Sequence, residues 1–133
     1  MNSKAKIENF EDLEIWQNAR ILAVEVYEIT QKSPFANDFR FKSQMTSSVG
    51  SIMDNIAEGF ERGGNKEFIQ FLSFAKGSCG ETRSQTHRAY DFKYIDEETY
   101  KVLIEKLFIQ SRQISSMMTY LKKSKFKGEK FKK

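Results

Sequence analysis

Residues 54–81 read DNIAEGFERGGNKEFIQFLSFAKGSCGE, and this stretch decides the fold class. Apolar residues recur every three or four positions on both sides of Gly63-Gly64, which is the spacing of one buried face of an α-helix. A pair of glycines ends a helix readily, and Asn65 is a residue type that can cap the next one. We therefore predict two antiparallel helices joined by a tight turn.

Helical spacing extends through the rest of the chain. Pro34 closes the first helix because proline disfavours helical geometry in the residue before it, and Asp96 can cap the fourth. Short connections predict an all-α, antiparallel up-down-up-down four-helix bundle. The predicted helices span about 10–32, 39–62, 65–92 and 96–124. The seam of the fourth comprises Tyr100, Ile104, Leu107, Ser111, Ile114, Met118 and Leu121.

The composition suits one domain. With 133 residues, of which 39% are hydrophobic, the chain can bury a real core. Its single cysteine excludes an internal disulfide and fits a reducing compartment. No signal peptide or apolar run of about 18 residues is present, so we expect a cytoplasmic protein without a membrane partner. We divide the chain into a flexible N-terminus (1–9), a bundle domain (10–124) and a basic, disordered tail (125–133).

The positive charge is concentrated near the C-terminus. Residues 122–133 contain seven lysines and one glutamate, so they carry a net charge of +6 while the rest of the chain carries −2. Such a segment either binds anions, for example nucleic acid or a membrane surface, or is an ordinary solvated tail. The candidate nucleic-acid-binding residues are Arg20, Arg62, Lys66, Lys76, Arg83, Arg88, Lys122, Lys123, Lys125 and Lys127.

Apolar residues also occur outside the predicted seams. A helix in an isolated bundle needs a single buried face, so the surplus suggests a second copy of the chain as a partner. The alternative is a wide core face with ordinary exposed aromatic residues. The residues that we assign to this interface are Leu13, Trp16, Val24, Tyr27, Ile69 and Phe74.

Small residues form strips on the second and third helices. Such strips let helix backbones approach closely, within or between subunits. The strip on the second helix is Ser43, Ser47, Gly50, Ser51 and Asp54. The strip on the third helix is Ser73, Gly77, Gly80 and Ser84.

The sequence offers little for catalysis or metal binding. A di-iron bundle needs Glu-x-x-His on each of two helices, but the one histidine, His87, follows Ser84 at that spacing. Cys79 lies about two helical turns from His87, too far to form a nucleophile–base pair, and we expect it to be a buried apolar residue. No enzymatic activity, metal or cofactor is predicted.

A polar group of Asn55, Glu58 and Glu81 is the remaining candidate. Partly buried carboxylates need basic partners, which nearby arginines can supply. We favour a structural hydrogen-bond network that fixes the helix register over a catalytic site, because no arrangement of acid, base and nucleophile can be drawn.

Three segments resemble a known family: FEDLEIWQNARILAVEVYEIT at 10–30, QMTSSVGSIMDNIAEGFERGGNKEFIQFLSFAKGSCGE at 44–81 and SSMMTYLKK at 115–123. They resemble the bacterial four-helix bundle family, also called the large-subunit ribosomal RNA intervening-sequence protein family. The accessory variability determinants of diversity-generating retroelements are similar to it. The matching motif positions include Asn55, Glu58, Gly59, Gly77, Ser78 and Glu81.

The resemblance implies a ring-shaped homopentamer with no known enzymatic activity. It also implies nucleic-acid and reverse-transcriptase binding through basic surfaces, as in the retroelement relatives. This chain departs from the family at Thr46-Ser47-Ser48, where basic residues are usual, and at Met53-Asp54, where proline often precedes the asparagine. If the basic pair contacts nucleic acid, part of that surface is lost here, and the lysine-rich tail is a candidate replacement.

Two functions follow as hypotheses. The first is a non-enzymatic homo-oligomeric scaffold that binds RNA, DNA or a nucleic-acid-processing partner such as a reverse transcriptase. Its phosphate contacts would weaken steeply with salt. The alternative is a protein–protein interaction or regulatory module that self-associates without binding nucleic acid.

Overall fold

The computed structural model describes residues 6–124, and within that range α-helices account for most of the chain. They are α1 (Glu14–Thr30), α2 (Phe39–Glu61), α3 (Asn65–Asp91) and α4 (Glu97–Lys123). Each packs against the helix before it, and α4 also contacts α1, which closes the bundle. The part of the chain described contains no strand, so the predicted all-α four-helix architecture is confirmed. No helix between residues 6 and 124 is long and apolar enough to span a membrane.

Helix α1 begins later than predicted. Leu13 has an extended backbone (φ −80°, ψ 128°), which separates the helix from a 3₁₀ turn over Phe10–Asp12. The Phe10 ring packs edge-on against Trp16, with 5.2 Å between ring centroids. Of the segment predicted to be a flexible N-terminus, residues 6–9 are described, and Ile7 packs against the core.

The apolar spacing predicts the buried sides of α1, α2 and α3, for example Leu22, Met45 and Leu72, and these sides form the core. The seam predicted for α4 needs correction. Tyr100, Ile104, Ser111 and Met118 are only partly buried. The residues of α4 that are buried are Leu103, Leu107, Gln110, Ile114 and Leu121. The inward side differs from the predicted one because α4 packs against both α1 and α3, so the buried side depends on two neighbouring helices.

Asn65 does not cap α3 as predicted. Gly64 is the N-cap residue, and Asn65 in the first turn donates its side-chain amide to the Leu121 carbonyl at 3.2 Å. Gly63 adopts a φ of 90°, which glycine tolerates and which ends α2. The turn therefore joins two helices and also ties α3 to the end of α4.

Packing within the chain requires Gly59, which lies outside the predicted small-residue strips, but it does not require the glycines of the strips. A Cβ at Gly59 would lie 2.6 Å from Phe71 Cβ, so α2 and α3 approach closely here. No atom lies within 4 Å of a Cβ built at Gly50, Gly77 or Gly80. The expectation that these three allow close approach within one chain was therefore wrong, while a role between subunits stays a prediction.

Candidate nucleic-acid interface

Contacts along the α3–α4 seam set the register of the two helices. The Asn65 amide reaches Leu121 at one end, and the Tyr90 ring stacks on Tyr100 at the other, with 4.2 Å between centroids. Because the helices are antiparallel, their outer edges form one continuous surface, which we call the α3–α4 face. Helical spacing places on it Lys66, Lys76, Arg83 and His87 of α3 and Lys101, Glu105, Phe108, Arg112 and Lys122 of α4.

Cations outnumber carboxylates on the α3–α4 face. Glu105 lies within it, and Glu97 lies beside its end, where its carboxylate pairs with Lys101 at 3.0 Å. Lys76, Arg83 and Arg112 form no ion pair with a carboxylate of residues 6–124. Such cations are available for phosphate groups.

Arg83 is held in place by an aromatic ring. Its guanidinium carbon lies 4.4 Å from the Phe108 ring centroid, a cation–π geometry. The Phe108 side chain is 44% exposed, so the ring remains accessible beside the guanidinium. Phe108 and Arg112 were absent from the sequence-based candidates, although Arg112 follows Lys101 by three helical turns and so shares its side of α4.

The other predicted arginines lie elsewhere. Arg20 sits over the Trp16 ring at 5.5 Å, on the first helix. Arg88 sits over Phe41 at 4.2 Å, between α2 and α3. Arg62, directly after α2, sits over the Phe71 ring of α3 at 4.8 Å and also pairs with Glu58 of α2. These three arginines do not join the α3–α4 face, so the sequence-based set is divided among several surfaces.

Of the lysine-rich segment 122–133, the structure describes the first two lysines. Lys122 and Lys123 are exposed in the last turn of α4. Lys125, Lys127 and the rest of the predicted tail (125–133) lie outside the described residues. The tail is therefore joined to the end of α4, one of the two helices that carry the α3–α4 face.

The reactive side chains on α3 are not arranged for catalysis. Cys79 is buried, its thiol contacts the Leu107 carbonyl at 3.1 Å, and burial raises its pKa to about 11 despite the opposing charges of Arg83 and Lys76. His87 is exposed, and its Nδ1 lies 2.9 Å from the Tyr100 hydroxyl. Residues 6–124 contain no group of three or more potential metal ligands.

Comparison with known proteins identifies the family. A family model described as 23S rRNA-intervening sequence protein matches residues 11–119. The chain belongs to this family. A crystal structure from Bacteroides thetaiotaomicron, described as a protein with unknown function from the S23 ribosomal protein family, has a TM-score of 0.72 and 20% identity, over 78% of this chain and 97% of that one. That likeness establishes the fold, and no curated protein matches the chain.

The motif that carried the resemblance to the intervening-sequence family is mostly structural. Asn55 donates to the Ser51 carbonyl and hydroxyl at 2.8 and 2.9 Å, and the Ser78 hydroxyl donates to Ser51 at 3.0 Å. This chain of contacts links α2 to α3, as expected of a network that fixes register.

The carboxylates of the same motif are not buried. Glu58 is exposed and pairs with Arg62 at 2.9 Å on the helix surface. Glu81 is also exposed. The expectation that these carboxylates are partly buried was therefore wrong, because both positions point outward from the α2–α3 contact. The expected arginine partner is present for Glu58, which pairs with Arg62.

The intervening-sequence family's usual basic positions are only partly at the surface in this chain. Ser48 is buried, where its hydroxyl donates to Gln85 Oε1 at 2.5 Å and lies 2.8 Å from Thr82 Oγ1. Thr46 is half-buried and Ser47 is exposed. Sequence reasoning missed this buried polar cluster, although Ser48 lies within the apolar spacing of α2.

Two residues of the predicted oligomer interface belong to the core instead. Leu13 and Trp16 are only 2% and 9% exposed. The 3₁₀ turn over Phe10–Asp12 covers them by folding back beside the start of α1. Their assignment to an outer face is corrected, because the sequence was read as a helix continuous from residue 10.

The remaining interface candidates stay predictions. Val24 and Tyr27 lie on one side of α1 and are 52% and 56% exposed. Phe74 on α3 is exposed, whereas Ile69 is half-buried against the core. Of the six predicted interface residues, Val24, Tyr27 and Phe74 are therefore exposed.

Proposed function

We propose that this chain is a non-enzymatic, homo-oligomeric scaffold of the cytoplasm that binds nucleic acid through the α3–α4 face, assisted by the basic tail. The observation that carries the proposal is the group of cations without ion-pair partners on this face, Lys76, Arg83 and Arg112. Unpaired surface cations bind phosphate through counterion release, which needs no particular sequence. The family name points to an RNA context, in agreement with this proposal.

The proposed self-association would strengthen nucleic-acid binding because it multiplies the basic surface. Copies that associate through Val24 and Tyr27 of α1 would leave the α3–α4 face exposed, since α1 does not contribute to it. Several such faces on one particle raise the effective affinity for a long polyanion. The ring-shaped pentamer implied by the resemblance is one such arrangement.

A charge-matched pair of variants tests the proposal. The triple variant Lys76→Ala/Arg83→Ala/Arg112→Ala removes cations from the face, and Arg20→Ala/Arg62→Ala/Arg88→Ala removes the same charge elsewhere. Fluorescence anisotropy with a 20-nucleotide RNA at 50 and 200 mM salt measures affinity. We expect the face variant to lose about 10-fold or more, with a shallower salt dependence, and the scattered variant to lose less.

Two outcomes contradict the proposal. Equal losses in both variants would mean that binding follows net charge alone. No salt-sensitive binding by the unchanged protein, combined with self-association, would favour the alternative of a protein–protein interaction or regulatory module. That alternative is supported by the exposed apolar residues Val24 and Tyr27, which suit a protein partner. Deleting residues 125–133 measures the contribution of the tail in the same assay.

A further inference from the structure

A shallow cavity lies on the α4 side of the α3–α4 face. Its volume is about 310 Å³, which is large enough for a planar ring system. It is lined by Tyr100, Lys101, Ile104, Glu105, Phe108 and Arg112. Two aromatic rings, an aliphatic residue, two cations and one carboxylate are thus combined in one site.

Both aromatic side chains of the cavity are held in place by contacts with side chains of α3. The Tyr100 ring stacks on Tyr90 with planes 10° apart, and its hydroxyl lies 2.9 Å from His87 Nδ1. The Phe108 ring packs under the Arg83 guanidinium. Rings that are already fixed lose little conformational freedom when a ligand stacks on them.

The cations lie at the two ends of the cavity. Lys101 and Arg112 are separated by three helical turns, or about 16 Å along α4. The Lys101–Glu97 pair is largely exposed, so little free energy opposes its exchange for a phosphate. Arg112 has no ion-pair partner among residues 6–124. A polynucleotide backbone can therefore be held on both sides of a base in the cavity.

Glu105 is the polar group that could distinguish one base from another. It lies one turn before Phe108, on the same strip of α4, and forms no ion pair or side-chain hydrogen bond within the part of the chain described. A carboxylate accepts hydrogen bonds and cannot donate them. It matches the exocyclic amino group of cytosine, whereas uracil presents a carbonyl at that position.

We propose that this cavity is a subsite for an unpaired base of a single-stranded polynucleotide and that it prefers bases with an exocyclic amino group. The base stacks on Phe108, Glu105 accepts its amino group, and Arg112 and Lys101 contact the flanking phosphates. Stacking on aromatic residues beside cations is how proteins bind single strands, and a paired base would not be free to stack. The inference rests on the proposed nucleic-acid binding and names its ligand class.

The test compares oligonucleotides whose bases present different groups at one edge, an amino group in cytosine and a carbonyl in uracil. The full chain is titrated into fluorescein-labelled 10-mers of cytidine and of uridine, each in ribose and deoxyribose forms. A labelled 10-base-pair duplex is titrated in the same way. We expect the cytidine strand to bind about 5-fold or more tightly than the uridine strand, and both to bind more tightly than the duplex. The sugar comparison reports whether RNA or DNA is preferred.

Two variants and their matched controls separate stacking from charge. Glu105→Gln should bring the cytidine-to-uridine ratio towards one, because an amide can also donate to uracil. The control Glu28→Gln removes an equal charge from α1 and should leave the ratio unchanged. Phe108→Leu should weaken both single strands, whereas Phe92→Leu, at an aromatic residue with similar exposure outside the predicted oligomer interface, should not. Thermal denaturation of each variant verifies folding.

The outcomes distinguish failure of the subsite from failure of the proposed function. Binding of RNA without a base preference, with Phe108→Leu behaving like Phe92→Leu, would overturn the subsite and leave the basic face as an electrostatic interface. Duplex binding as tight as single-strand binding would also overturn it. An unchanged protein that binds no polynucleotide at low salt would overturn both.

Discussion

Gly59 and Gly77 show how two glycines in one motif differ in their physical role. A Cβ at Gly59 would meet Phe71 Cβ at 2.6 Å, and it would lie 3.0 Å from the Phe68 ring. A Cβ at Gly77, in the exposed middle of α3, meets no atom within 4 Å. Packing within the chain therefore requires glycine at the first position only.

Alanine substitutions should separate these roles. Gly59→Ala forces α2 and α3 apart, and we expect it to reduce the free energy of unfolding by about 1–3 kcal/mol. Gly77→Ala, the matched control, should increase it by about 0.5–1 kcal/mol because alanine favours the helix. Urea denaturation followed by circular dichroism measures both. A fully stable Gly59→Ala protein would contradict the close approach, and a destabilised Gly77→Ala protein would indicate a contact between subunits.

At the scale of the elements, α2 and α3 are joined by a polar cluster inside the apolar seam. Ser48, Thr82 and Gln85 are buried and share hydrogen bonds. The Thr82 hydroxyl has one hydrogen, so it donates either to Ser48 Oγ or to the Ser78 carbonyl of its own helix, which is 2.9 Å away. A buried cluster of this kind stabilises the fold only when each member has a partner.

Removing one member of the cluster should reduce the free energy of unfolding more than removing two. Ser48→Ala leaves Gln85 Oε1 without its donor, and we expect a loss of about 1–3 kcal/mol in the free energy of unfolding. The double variant Ser48→Ala/Gln85→Met replaces both partners and should recover most of that loss. A double-mutant cycle in urea provides the measurement. If the two losses simply add, the cluster is not coupled as the distances indicate.

The helix caps connect elements and respond to pH. Asp38 accepts hydrogen bonds from the Tyr94 hydroxyl, in the α3–α4 turn, and from the Phe41 backbone at the start of α2. The Tyr94 bond, and then the Phe41 bond, hold the pKa of Asp38 below its ordinary value of 3.8. Because the pKa is lower in the folded state, the stabilisation is fully present above pH 3.8 and is lost as pH falls below that value.

Asp38→Ala should therefore lower the melting temperature by a few degrees at pH 7, through loss of the cap and of the link to Tyr94. The difference from the unchanged protein should narrow at pH 3, because this pH lies below the ordinary pKa of 3.8 at which the carboxyl of the unfolded chain takes up a proton. Asp54→Ala, at an exposed position of α2, is the control and should have little effect. A difference that is the same at both pH values would exclude the charged form of Asp38 as the stabilising species.

At the scale of the whole molecule, the surfaces differ in character. The α3–α4 face is basic, whereas the outer side of α1 exposes Val24 and Tyr27. This segregation allows one surface to serve self-association while another remains free for a polyanion. The segregation of the two surfaces depends on which sides of the helices remain exposed after the bundle has packed.

Charge placed on the outer side of α1 should dissociate the proposed oligomer. We expect light scattering of the unchanged protein to give a multiple of the 15.6 kDa chain mass and of Val24→Asp/Tyr27→Asp to give a single chain. Val102→Asp, at an exposed apolar position of α4, is the matched control and should remain associated. A monomeric unchanged protein would contradict self-association, and dissociation by the control alone would move the interface to α4.

The sequence by itself determined the number of helices, their approximate bounds and most of the core. The seam of α2 follows directly from apolar spacing, and the Asp96 cap from residue type, because both depend on local periodicity and hydrogen bonding. Cys79 was likewise predicted to be buried, because it falls on a regular seam.

Only the tertiary structure decided which residues meet across helices. It rotated α4 so that Gln110 faces inward, placed Leu13 and Trp16 in the core, and separated Arg83 from Arg88. It also brought Phe108, on the next helix along the chain, under Arg83. Spacing along one helix gives the angle of a side chain around that helix. Which neighbouring helix contacts that side chain depends on how all four helices pack around one core.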